Sequence, residues 1–207
     1  IDVQGPDATE FLNRMYTHDV DQMSIGRCAY GLLLGEDGMV MDDGVMARLG
    51  PDHYYLTTTT GGAANVLSWL ELWLQTEWPD LKVHLTSLTD QYSTIAVVGP
   101  KSRAVLETLD CSEDLSASAF PFMTVRPGTL VGIGVQLFRV SFSGELAFEV
   151  SVDSRYAAGL WTAIYEAGGA FDMTPYGTET MHVLRAEKGF VIVGQDTDGS
   201  VTPGDLK

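Results

Sequence analysis

The 207 residues are 45% hydrophobic and 19% charged, an ordinary globular balance with length enough for a full-sized core. Against 28 acids stand only 12 Lys and Arg, and the formal charge of −16 argues against nucleic acid or an anionic membrane as partner. An anionic small ligand would meet an opposing field and need local Arg or Lys. No apolar run approaches the roughly 18 residues of a membrane span, and the opening IDVQGPDATEF is not a signal peptide. The chain begins without Met and stops at VTPGDLK, just past a turn, which reads as a piece of something longer. Cys28 and Cys111 lack metal-ligand spacing and suit a reducing, cytoplasmic compartment.

In chain order, DATEFLNRMY (7–16) predicts a short helix, with Phe11, Leu12, Met15 and Tyr16 at helical spacing. The stretch from Cys28 to the TTTT run predicts three strands, punctuated by turns at GEDG and GPDH. GGAANVLSWLELWLQTEW predicts a helix burying a stripe of Val66, Trp69, Leu70, Trp73 and Leu74, stopped before Pro79. LKVHLTSL and YSTIAVVGP predict strands, and KSRAVLETL a helix. YAAGLWTAIYEAG predicts a helix ending at Gly168, and TETMHVLRAEKG another, with Thr178 as N-cap and Gly189 past its end. The mixed order favours α+β with antiparallel sheets over a doubly wound fold.

Between these helices, LFRVSFSGELAFEV from residue 137 alternates as a half-buried hairpin. Setting Val140 opposite Phe148 and Phe138 opposite Val150 keeps the apolar sets on one face, with Arg139 opposite Glu149. A three-residue turn, Ser143-Gly144-Glu145, is left, with a carboxylate at its tip. A second pair of acids, Asp42-Asp43, lies in MVMDDGVMAR. Strand period groups Asp43 with Met41 and Val45, a costly setting for a carboxylate unless something pairs with it. Dinucleotide, P-loop, metalloprotease and serine-hydrolase motifs are absent, and the four histidines are scattered, so no metal site is expected. On residues alone this is an α+β domain with two candidate functional carboxylates, each also readable as a solvated acid. Arg185 is equally readable as a helix C-terminal cation.

Three stretches taken together say more. GRCAYGLLLGEDGMVMDDGVMAR, RVSFSGELAFEV and YGTETMHVLRAEKGFVIVGQDTDGSVTP resemble the folate-binding aminomethyltransferase family, which includes the glycine-cleavage T-protein and the folate domains of sarcosine and dimethylglycine oxidases. TTTTGGAANVL and TEWPDL resemble its branch of heterotetrameric sarcosine oxidase α chains. The resemblance spans essentially all of residues 1–207 as one folate-binding region. It implies the family's α+β fold of two interlocked lobes with antiparallel sheets and packed helices, incomplete at the C-terminal end. Ala147 departs from the family's usual Gly.

The resemblance implies tetrahydrofolate as ligand. Glu145 would accept the pterin's paired donors, Asp43 would lie by N5 and N10, and Arg185 would lie on the folate side. Asp42 and Tyr30 would complete the binding set. It further implies a flavin-bearing β subunit and small subunits as partners, with FAD, FMN and NAD held in other parts of the complex. The imine from sarcosine oxidation would then be trapped as 5,10-methylenetetrahydrofolate with release of glycine. The alternatives are a non-enzymatic folate-binding protein or a docking domain with a decayed site. Against the first, Phe190 stands where such relatives carry Cys in KGCYxGQ.

Overall fold

The computed structural model describes residues 1–206, which divide into two compact units. The first comprises Ile1–Thr89 with the returning segment from Val191, and the second is Asp90–Phe190.

In the first unit five strands, β1 (Asp2–Gln4), β2 (Cys28–Leu34), β3 (Val40–Gly50), β4 (His53–Leu56) and β5 (His84–Thr86), form a sheet ordered β2-β3-β4-β1-β5. All of its pairings are antiparallel. Two helices, α1 (Ala8–Met15) and α2 (Ala63–Thr76), carry apolar stripes into its core. Phe11, Leu12, Leu33, Met46, Tyr54, Leu56 and Leu70 are almost wholly buried there, and Trp69, Trp73 and Leu74 pack against them. The expected α2 stripe is therefore the one the fold uses. The returning segment is tied in where the Val40 N–H donates to the Val201 carbonyl at 2.8 Å.

The second unit holds a four-stranded antiparallel sheet of β6 (Tyr92–Val98), β7 (Thr124–Leu130), β8 (Ile133–Arg139) and β9 (Ala147–Asp153), ordered β6-β9-β8-β7. Helices α3 (Ser102–Glu107) and α4 (Ala157–Gly168) pack on it, and α5 (Thr178–Lys188) follows. Its core joins Ile95, Val97, Leu137, Phe148, Val150 and Val152 to Leu106, Leu160 and Ile164.

Several sequence expectations need correction. The hairpin register is shifted by one residue: Leu137 faces Val150 and Phe138 faces Glu149, while Arg139 lies opposite Thr124. Both faces of β8 are apolar here, since Leu137 and Phe138 are each nearly inaccessible. Alternation alone could not choose between them, and the core takes Val135 and Leu137. Residues 140–146 then form a longer connection rather than a three-residue turn. Thr178 is the first helical residue of α5, with Gly177 at the cap, although Gly189 does end the helix in the left-handed region at φ +84°. Strands β1 and β7 were not anticipated: the first is only three residues long, and the second carries Pro127 and Gly128, which disfavour a strand by sequence, within its continuous pairing to β8.

Candidate functional site

In the first unit the two acids of β3 are set apart by burial. Asp42, on the face shared with Val40 and Met46, is 5% exposed; Asp43 is half-buried. Asp42 is therefore the more deeply buried carboxylate, while Asp43, expected to be partly desolvated and in need of a partner, is half-buried and has two donors. Burial pushes the Asp42 carboxyl above its usual range, opposed by hydrogen bonds from two backbone N–H groups. These are the amides of Asp43 at 2.8 Å and Thr59 at 2.9 Å, both reaching Oδ1.

Asp43 is held from its other side. Tyr30, adjoining it across the β2–β3 ladder, donates its hydroxyl to Oδ2 at 2.7 Å, and Thr59 donates its hydroxyl to Oδ1 at 3.2 Å. Tyr30 is 48% exposed, and its hydroxyl pKa is raised, first by burial and then by this bond to Asp43. The TTTTGG run is thus a loop stitched onto β3. Thr57 exchanges hydrogen bonds with Val45, and a Cβ on Gly44 would lie 2.0 Å from the Thr57 carbonyl oxygen. A Cβ on Gly62 would lie 2.0 Å from Asp42 Oδ2, so glycine is required there to make room for the carboxylate.

In the second unit, Glu145 is exposed on the 140–146 connection. Gly144, at φ +83°, turns the chain beside it, and a Cβ there would strike the Lys188 side chain at 2.7 Å. Phe142 stacks on Phe190 with centroids 6.4 Å apart. The end of α5 that touches this connection also carries Arg185, half-buried, whose Nη1 donates to the Phe190 carbonyl at 3.1 Å. Sequence reasoning passed over Glu149. It sits mid-strand on the sheet face opposite the core, level with Phe138 on β8 and Ala96 on β6. Burial raises its carboxyl pKa, and among the described residues no side chain pairs with it. Its charge contributes to the raised pKa of Tyr176, where burial is the larger cause. The charged residue inside the apolar run AFEV was the available signal. The register error, which gave Glu149 an arginine partner, hid it.

No cluster of three metal-ligating side chains occurs among the described residues. No helix among them is long and apolar enough to cross a membrane.

Set against known proteins, the sequence and its two-unit antiparallel α+β fold define a family. The chain belongs to the family described as GCVT N-terminal domain, which it matches over residues 1–207. It is 56% identical, over 99% of its length, to the sarcosine oxidase subunit alpha of Corynebacterium sp. strain U-96, covering 21% of that protein. It is 33% identical, over 98% of its length, to the aminomethyltransferase of Chloroherpeton thalassium, covering 54% of it. The crystal structure of the glycine cleavage system aminomethyltransferase T of Bartonella henselae superimposes with a TM-score of 0.84 at 25% identity, over 98% of this chain and 52% of that one. The chain thus spans about a fifth of the oxidase subunits and about half of the aminomethyltransferases it matches. The α+β expectation holds, and the fold is that of the aminomethyltransferases, in part.

Proposed function

We propose that this chain is the tetrahydrofolate-binding, one-carbon-transfer region of a cytoplasmic sarcosine oxidase α subunit. It would act beside a flavin-bearing β subunit and small subunits, with FAD, FMN and NAD bound elsewhere in the complex. The observation that carries the reading is Asp43, held at both oxygens by Tyr30 and Thr59 above a buried Asp42. Such fixing is what electrostatic stabilisation of a developing cation asks for, because the charge needs no reorganisation when the reaction occurs. Tetrahydrofolate would supply the amines, N5 and N10, that capture the imine carbon as 5,10-methylenetetrahydrofolate with glycine released. Asp43 would stabilise positive charge at that carbon or orient the amine, and no nucleophilic side chain is needed.

The second unit supplies acceptors that fit a pterin. A pterin edge offers two parallel donors, from the 2-amino group and N3–H, and a carboxylate matches them with two oxygens. Glu149 is half-buried and unpaired, with its carboxyl pKa raised by burial, and this favours it for the role over the exposed Glu145, because a partly desolvated carboxylate gains more from a donor pair. Arg185, near the end of α5, and Glu145, on the connection that this end touches, are proposed as outer folate contacts. Asp42 would act through Thr59 and Asp43 rather than on the ligand.

Calorimetric titration of tetrahydrofolate into the full α subunit tests this. Glu149→Gln is expected to raise Kd by roughly 5- to 150-fold, the worth of about 1–3 kcal/mol for buried donors left unpaired. Unchanged affinity in Glu149→Gln with a comparable loss in Glu145→Gln would return the role to Glu145. No loss in either would remove the segment from the site.

A further inference from the structure

We propose that Arg103 and Arg139, in the second unit, form a receptor for a small oxyanion, phosphate or carboxylate, separate from the acidic residues described above. Arg103 lies on α3 and Arg139 ends β8, and their guanidinium carbons both lie over the ring of Phe148, each 5.5 Å from its centroid. Arg139 also lies over Phe122 at 5.4 Å, so one guanidinium sits against two aromatic rings. The proximity of Arg103 helps lower the Arg139 pKa, after burial.

Two cations brought together in a chain of charge −16 invite neutralisation by local acids, and it is missing. Among the described residues no carboxylate lies within 4 Å of either guanidinium. The third arginine of the region, Arg126, is by contrast paired with Glu113 at 3.9 Å. Asp114 feels both Arg126 and Arg103 but is fully exposed and bonded to Ser116. Arg139 spends one donor on the Ala147 carbonyl at 3.1 Å. Arg103 spends none, and its Nη1 is buried with no hydrogen-bond partner.

Stacking on a ring leaves the in-plane donors of a guanidinium available, and that planar fork matches an oxyanion with two oxygens. A buried donor without a partner is costly, and an anion shared by the pair would satisfy it while relieving the repulsion between the cations. Phosphate and carboxylate both meet these requirements. A halide lacks the paired oxygens to match them.

The test titrates inorganic phosphate, and separately acetate, into the full oxidase α subunit by calorimetry, with sodium chloride holding ionic strength constant. Saturable binding of either anion is expected, with the tighter one naming the natural group. Arg103→Met, which keeps the stem over Phe148, should weaken it at least about tenfold, while Arg103→Lys should keep part of it. Both variants should bind folate as the parent does. If Arg103→Met fails to fold, the lysine variant and the parent decide the matter. No saturable heat from the parent at about 20 mM of either anion, or equal binding in parent and Arg103→Lys, overturns the proposal.

Discussion

Glu149 pays for its position in stability. Its folded pKa is raised above the ordinary 4.5 by burial, so the folded state holds a proton that the unfolded chain releases. Between the two pKa values stability falls as pH rises; the penalty is complete above the folded pKa and absent below the unfolded one. Glu149→Gln removes the penalty, so this variant should melt higher than the parent at pH 7.5, with the gap closing as pH falls towards 4.5. A more stable protein that binds folate less well is the signature expected of a group kept for its ligand. Equal melting temperatures across that range would show that the carboxylate is already satisfied.

Val131 presents a second strain at single-residue scale. With Gly132 it forms the two-residue turn between β7 and β8, at φ +47° and +77°, and a β-branched side chain fits the left-handed region poorly. Val131 is 43% exposed, so little packing is lost by replacing it. Val131→Asn should raise stability by about 1 kcal/mol, read in a urea melt. A loss of stability would mean the exposed valine packs better than its turn geometry suggests.

Among the elements, the loop carried by the TTTTGG run governs Asp43. Thr59 connects the two acids of β3, giving its N–H to Asp42 and its hydroxyl to Asp43. Gly62→Ala would press a methyl into Asp42 and shift both bonds, although its backbone at φ −89° accepts alanine without strain. The expected outcome is a loss of about 1–3 kcal/mol in stability together with a slower folate-dependent step. Gly61→Ala, with nothing within 4 Å of its added carbon, should leave both unchanged. Identical behaviour of the two variants would separate the loop from the site.

The elements also show what a single sequence discloses. Strands β2 to β4 and helices α1, α2 and α4 were legible because period and turn residues agree there. The register of β8 against β9 was not, because Leu137 and Phe138 are buried on opposite faces and either alternation looks complete. That ambiguity hid Glu149, which the wrong register had set opposite Arg139. The Asp42-Asp43 pair was visible, but which acid is buried depends on Thr59, sixteen residues beyond Asp43 and outside any local pattern. Tyr30 came from family likeness alone, and its bond to Asp43 rests on strand pairing between β2 and β3.

At the scale of the whole chain, residues 1–207 carry a charge of −16, which would oppose the approach of the proposed folate with its anionic glutamate tail. Folate association should therefore quicken as ionic strength rises from about 10 mM to 150 mM, where the Debye length falls from roughly 30 to 8 Å. Stopped-flow fluorescence would register the opposite trend if a local cationic patch governed entry. The central claim, that Asp43 is the charge that directs one-carbon transfer, is tested most directly by Asp43→Asn in the intact oxidase complex supplied with sarcosine and tetrahydrofolate. Shape is kept and charge removed, so oxidation at the flavin should continue while 5,10-methylenetetrahydrofolate formation drops by about 10²–10³ and the carbon leaves as formaldehyde. Methylenetetrahydrofolate appearing at the parent rate would contradict the account.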